Sequence, residues 1–289
     1  MRETPAPIRA VVGLGRSVHP FPVLVVVATS TLLLLIAQRH APGAGLLTRA
    51  VLVVFFSQVA IGSLNDFVDR DSDATVQPYK PIPSGQVSDR AVLSLCIASL
   101  GAFLVMAASF GAVPLALISA ATAAGIAYDV ALKPTPFAIV GYFGGFLGLG
   151  AWILRLADRL TIWYVPLLPV GAALLVAAYL AQTYPDLEHD RALGHRGLAA
   201  LLGPRHTLLA IGAAYLSATA AGISGALFVR SGAALAASLA AALMGAGAIG
   251  TQRAAARELA RRRRLFYLIA PGIACLAAAS FLIEASLTD

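Results

Sequence analysis

Four aspartates fall within eight residues in the stretch Asn65-Asp66-Phe67-Val68-Asp69-Arg70-Asp71-Ser72-Asp73, and three more acidic residues, Asp186, Glu188 and Asp190, form a second knot. These seven are half of the 14 acidic residues in the chain, and each knot follows a long apolar run. If the helix before the first knot continues through it, Asp66, Asp69 and Asp73 stand at i, i+3 and i+7 on one face, while Asp71 points elsewhere. In the second knot Asp186 and Asp190 share a face at i, i+4, and Glu188 lies nearly opposite. Carboxylates this close repel one another unless something positive sits among them. A hard divalent cation with oxygen ligands is the usual resolution, and magnesium fits best where water and phosphate oxygens complete its shell. The plainer alternative is that these residues solvate two helix ends. Two knots with helical spacing, each beside basic residues, favour the cation, because ionisable groups near membrane depth are expensive and usually functional.

The elements that must carry these residues are membrane helices. Of 289 residues 59% are hydrophobic and only 12% charged, whereas about a quarter are charged in soluble domains. Apolar stretches recur at 20–37, 46–64, 91–108, 112–130, 136–154, 161–183, 206–229, 232–250 and 265–284, most near the roughly 18 residues needed to cross a hydrocarbon core. With the N-terminus inside, the N-terminal tail and even-numbered loops hold sixteen of the 21 Lys and Arg residues, including Arg70, Lys80, Arg90, Lys133, Arg191, Arg196, Arg205 and Arg261 to Arg264. The opposite side keeps Arg39, Arg49, Arg155, Arg159 and Arg230. Short loops rich in Lys and Arg stay in the cytoplasm, so the N-terminus and both acidic knots are expected there. The net charge of +7 is explained by this topology and calls for no nucleic acid. The Arg261 to Arg264 run, with Arg253 and Arg257, is expected to meet anionic lipid headgroups, with Glu258 pairing locally.

The chain reads as one transmembrane domain over 1–289. The displacement of 120 residues from Asp66 to Asp186 hints at a repeat of four-helix units, about 20–130 and 136–250. Gly141, Gly144, Gly145, Gly148 and Gly150 would let helices approach closely. Cys96 and Cys275 fall inside apolar spans without disulfide or metal-ligand spacing and are expected to be core residues. Arg2, Arg9 and Arg16 before the run Pro22 to Ala37 also suit a secretory signal peptide, but a multispanning chain needs no cleaved signal. His189, His195 and His206 are spaced irregularly and match no zinc pattern; His195, beside Arg196, has phosphate within its chemistry.

The NDxxDxxxD of Asn65 to Asp73 and the DxxxD of Asp186 to Asp190, in this order and separation, resemble the UbiA superfamily of intramembrane prenyltransferases. Tyr79-Lys80-Pro81-Ile82-Pro83-Ser84-Gly85 resembles the basic-Pro-x-Pro-Ser-Gly loop of that family, and Asp190-Arg191-Ala192-Leu193-Gly194 is also similar. Tyr128 and Lys133 sit where the family places a tyrosine and a basic residue after the fourth span. The resemblance implies an all-α bundle of nine transmembrane helices around a central cavity, with a cytoplasmic cap carrying the two Asp-rich motifs. It implies magnesium-dependent transfer of a polyprenyl group from polyprenyl diphosphate to an aromatic or other nucleophilic acceptor, through an allylic carbocation. Aspartates cannot hold a diphosphate directly and must act through bridging cations. Asp66, Asp69 and Asp73 are then expected to hold one magnesium, and Asp186 and Asp190 a second, with Asn65 as a neutral oxygen ligand or a support to one. Lys80, Lys133 and Arg191 are the candidate cations for phosphate oxygens. Tyr128 is a candidate to bond diphosphate or shield the allylic cation, or else an interfacial anchor.

One departure stands out. Where the family follows its second motif with a Gly-x-x-Thr-Leu-Pro segment, this chain has Gly194-His195-Arg196-Gly197-Leu198-Ala199. No sequence feature identifies the acceptor. Three rivals stay open: a terpene cyclase using the same diphosphate, a cation transporter, for which the carboxylates lie too near the span ends, and a silent binding protein.

Overall fold

The computed structural model describes residues 6–38, 42–253 and 259–288, so Arg2, Arg39, Arg257 and Glu258 lie outside the described residues. Backbone amides inside lipid must find partners within their own segment, which leaves helices as the solution for these apolar runs. Among the described residues nine helices, of 18 to 31 residues, are long and apolar enough to cross a membrane. At about 1.5 Å of rise per residue each reaches or approaches the hydrocarbon thickness of roughly 30 Å. This chain is an integral, multi-pass, all-helical membrane protein. Large apolar side chains such as Leu24, Ile97, Val105, Leu216 and Leu243 remain exposed along the spans, as lipid-facing residues must.

The chain divides into two compact units, 1–31 with 42–130, and 32–41 with 131–289. The first holds α1 (Ala6–Ser17), the start of α2 (Pro20–Ala37), α3 (Ala44–Val68), the short α4 (Arg70–Val76), α5 (Asp89–Ala108) and α6 (Ala112–Ala127). Here α3 packs along α5, and both touch α6. A buried hydroxyl pair, Ser57 with Thr122 at 2.9 Å, joins α3 to α6, and the Ser88 side chain caps α5 by accepting from the Ala91 amide at 3.2 Å. Cys96 is buried in this unit, as its apolar surroundings suggested.

The second unit carries α7 (Ala138–Leu156), α8 (Tyr164–Thr183), α9 (Leu187–Ala192), α10 (Leu198–Phe228), α11 (Gly232–Arg253) and α12 (Leu259–Thr288). In it α8 packs on α10 and α12, and α11 lies against α10 and α12. Tyr215 of α10 is buried and donates to the Ala241 carbonyl at 2.7 Å. Gly245 and Gly272 flank its ring so closely that a Cβ at either would collide with it, which is how small residues let membrane helices approach.

Two differences from the expected spans have physical reasons. The chain is already helical at α1, which is 12 residues long and too short to register as a span. The seventh span was expected from 206, but helical structure begins at Leu198 and is broken at Gly203, whose φ of 77° and ψ of 170° precede Pro204. That conformation is essentially restricted to glycine. Composition registers apolar length and is blind to a break of this kind.

Candidate active site

Helical hydrogen bonding runs through the first aspartate motif. The Asp69 amide donates to the Asn65 carbonyl at 2.9 Å, and the Asp73 amide to the Asp69 carbonyl at 2.8 Å, so α3 passes into α4 with Asp69 as the shared junction residue. The i, i+7 relation therefore survives, and Asp66 and Asp73 meet at one point. Both are buried, at 3% and 6% exposure. Lys80 Nζ donates to Asp73 Oδ2 at 2.6 Å and lies 3.3 Å from Asp66 Oδ1. Asp69 is half-buried and close enough to Asp73 to repel it. Asp71 turns away as expected, with its side chain 87% exposed and facing Arg70.

The loop that delivers Lys80 is tightly wound. The Ser84 amide donates to the Lys80 carbonyl at 3.0 Å and the Gln86 amide to the Pro81 carbonyl at 3.0 Å, Gly85 supplies a φ of 70°, and Pro81 and Pro83 fix their own φ angles. From α1, Arg16 donates to Gln86 Oε1 at 2.9 Å and to the Tyr79 carbonyl at 3.3 Å.

Burial opposes the charge on the Lys80 ammonium, yet its bond to Asp73 and the attraction of Asp66 and Asp73 outweigh that and hold it above the usual lysine range. Burial also pushes the Asp73 carboxyl up; Lys80 pulls it back, but repulsion from Asp69 and Asp66 keeps it raised. Two partners of one ion pair thus move in the same direction. For Asp73 burial is the main cause, and repulsion from Asp69 and Asp66 adds to it.

Two further groups hold this motif. His19 Nε2 is 3.1 Å from Asp66 Oδ1. Asn65 Nδ2 donates to Oδ1 of the buried Asp129 at 3.0 Å. Because a carboxylate only accepts, the Asn65 amide must turn its nitrogen to Asp129, and its carbonyl oxygen is the atom directed elsewhere. Asp129 lies in a single π turn, Tyr128–Leu132, a deviation that often marks functional sites in helices. Tyr128, at the head of that turn, is half-buried.

The second motif, within its own unit, is less enclosed. A 3₁₀ turn, Tyr184–Asp186, leads into α9, so the segment bearing Asp186 and Asp190 is not one regular α-helix. Asp186 is exposed and Asp190 half-buried. Asp190 faces His195 Nδ1 at 3.2 Å, and its carbonyl accepts from the His195 amide at 2.8 Å. Arg191 donates through Nε to the Ala200 carbonyl at 2.6 Å. Half-buried Lys133 precedes Pro134, whose carbonyl accepts from the Arg196 amide at 2.8 Å. The basic segment at 133 and the altered segment after Gly194 are therefore tied together.

The UbiA prenyltransferase family matches residues 23–280 of the chain. This protein belongs to the UbiA prenyltransferase family. The chain is 29% identical over 162 residues to digeranylgeranylglyceryl phosphate synthase of Natronomonas pharaonis, a match covering 55% of this chain and 58% of the relative. It is 29% identical over 197 residues to the bacteriochlorophyll synthase 33 kDa chain of Rhodobacter capsulatus, covering 64% and 61% respectively. These matches span less than two thirds of either relative. A UbiA homologue from Archaeoglobus fulgidus, solved with GPP and Mg2+, superposes with a TM-score of 0.70 at 17% identity, covering 94% of this chain and 99% of that one. The likeness establishes a shared UbiA fold.

Among the described residues no three His, Cys, Asp or Glu side chains already converge as a metal cluster. The chemistry of the first motif nevertheless fits a hard cation. Asp66 and Asp73 offer carboxylate oxygens to a single positive centre, and the Lys80 ammonium stands in for one at that point. Carboxylate oxygens of this kind suit a hard divalent cation.

Sequence spacing reveals the aspartates but neither His19 nor the role of Asp129. His19 reaches its partner from 47 positions away, and Asp129 reaches Asn65 across 64, distances over which no local period carries information.

Proposed function

We propose that this UbiA-family chain is a magnesium-dependent prenyltransferase that moves a polyprenyl group from its diphosphate to an aromatic or other nucleophilic acceptor within the membrane. The observation that carries this reading is the convergence of two buried carboxylates, Asp66 and Asp73, on one cationic centre at the end of an apolar span. We assign Asp66, Asp69 and Asp73 to one magnesium, with Asn65 presenting its carbonyl oxygen, and Asp186 and Asp190 to a second. Bound magnesium supplies the positive charge that holds a diphosphate and stabilises the charge it gains on leaving. Lys80, Lys133 and Arg191 are assigned to phosphate oxygens, which accept from ammonium and guanidinium donors, and Tyr128 to the diphosphate or the allylic cation. The allylic carbon–oxygen bond breaks with its electron pair leaving on diphosphate. Apolar surroundings keep water from the carbon until the acceptor attacks and loses its proton. The basic loops beside them support a cytoplasmic position for both aspartate motifs and the N-terminus. The names of the relatives, synthases of digeranylgeranylglyceryl phosphate and of bacteriochlorophyll, support prenyl transfer without choosing the acceptor.

Purified protein in detergent, given magnesium and geranylgeranyl diphosphate with a panel of acceptors, is expected to release diphosphate and form a prenylated product. Asp73→Ala should lower turnover about a hundredfold, the scale for losing one preorganised charge-stabilising group, while Asp71→Ala should leave it within about twofold, as surface changes do. Unchanged turnover in Asp73→Ala overturns the site assignment. Prenyl products formed without any acceptor would make the chain a cyclase.

A further inference from the structure

His19 lies in the turn between α1 and α2 with φ of 54°, a left-handed backbone that residues bearing a Cβ seldom adopt. Such a conformation persists only where its surroundings impose it. The imposing contact is visible one residue earlier. The Val18 carbonyl rests on Gly62 of α3, where a Cβ would stand 2.6 Å from the Val18 oxygen. Gly62 and Asp66 are four residues apart, one turn along the same helical face. The missing side chain at 62 thus lets the turn approach α3 where the His19 imidazole can reach Asp66, with Nε2 3.1 Å from Oδ1. Lys80 reaches the same oxygen, at 3.3 Å. Two donors from separate segments hold Oδ1, which leaves Oδ2 as the Asp66 oxygen engaged by neither.

We infer that His19 is a positioning residue of the first aspartate motif, its imidazole N–H fixing the Asp66 carboxylate for cation binding and Gly62 providing the approach that makes this contact possible. The inference rests on the proposed role of Asp66 as a magnesium ligand. Residues that hydrogen-bond a metal ligand commonly contribute tenfold to a hundredfold in metal affinity, and His19 is placed to do so.

The test is Mn2+ binding to the purified full-length protein in detergent, read from the electron paramagnetic resonance of free Mn2+, with thermal unfolding measured in parallel. His19→Asn is the main variant, because asparagine tolerates a left-handed backbone but is too short to reach Asp66. It is expected to weaken Mn2+ binding about tenfold. His19→Gln, with an amide nitrogen near the Nε2 position, is expected to restore most of that loss. Gly62→Ala is expected to reproduce the His19→Asn weakening. Wild-type affinity in a folded His19→Asn protein, or a loss that His19→Gln does not recover, overturns the inference. Asp66→Asn separates the two readings: if it also binds Mn2+ as the wild type does, the magnesium assignment of the motif fails, whereas loss in Asp66→Asn with none in His19→Asn defeats only the role of His19.

Discussion

At Lys80 a single ammonium lies within reach of two buried carboxylates, and its side chain is only 15% exposed. Removing one member of a buried charge cluster leaves the rest desolvated and uncompensated, which typically costs on the order of 3 kcal/mol. Lys80→Met is therefore expected to lower the thermal midpoint of the metal-free protein. Added magnesium should recover part of that loss in the variant and give a smaller increment in the wild type, as a thermal scan with and without the metal would show. Magnesium giving both proteins the same increment would mean that the cation does not occupy this place. At this scale the sequence is informative where chemistry follows a period. Asp66 and Asp73 share a helical face, and Asp71 does not, because seven residues make two turns and five do not make a whole number. His19 is hidden from such reasoning, because a left-handed turn and an approach over Gly62 bring it to Asp66. Asp129 is hidden as well, since its link to Asn65 depends on how α6 ends in a π turn.

Among the elements, the spans were legible because lipid demands long apolar helices whatever their packing. Breaks within them were not. Gly203 combines a left-handed, extended backbone with a neighbour, the Arg191 guanidinium, that would stand 3.0 Å from a Cβ at this position. Gly203→Ala is expected to destabilise the fold by about 1–3 kcal/mol through backbone strain and to loosen the Arg191 bond to Ala200. Thermal unfolding gives the first effect, and faster amide hydrogen exchange over 191–203 the second. An unchanged midpoint would mean that the backbone relaxes into an ordinary helix, which Pro204 opposes. The transition from α3 to α4 shows the reverse. Helical spacing puts Asp66, Asp69 and Asp73 on one face on condition that the helix continues through the motif, and its amide bonds do continue through Asp69.

For the whole molecule the claim still to be tested is sidedness. The proposed topology puts Ser72 in the cytoplasm and Thr161 on the opposite face. In right-side-out spheroplasts, a membrane-impermeant maleimide is expected to label Thr161→Cys and to spare Ser72→Cys until the membrane is opened; the opposite pattern would invert the topology. Fold class, membrane placement and family were all legible in composition and in two short motifs, since each depends on properties that repeat along the chain. The partners of those motifs were not, because they depend on where the chain returns in space.

The first motif also has a consequence in time. Asn65, Asp66 and Asp73 find His19, Lys80 and Asp129 as partners, all in the N-terminal unit that ends at residue 130. Chains fold from the N-terminus as they are synthesised, so this half of the machinery can acquire its internal counter-ions while Asp186 is still in the ribosome. Two of the four carboxylates of an acidic segment then share one ammonium from within the same unit. The contacts of Asp66 and Asp73 with His19 and Lys80 call for no residue of the second motif.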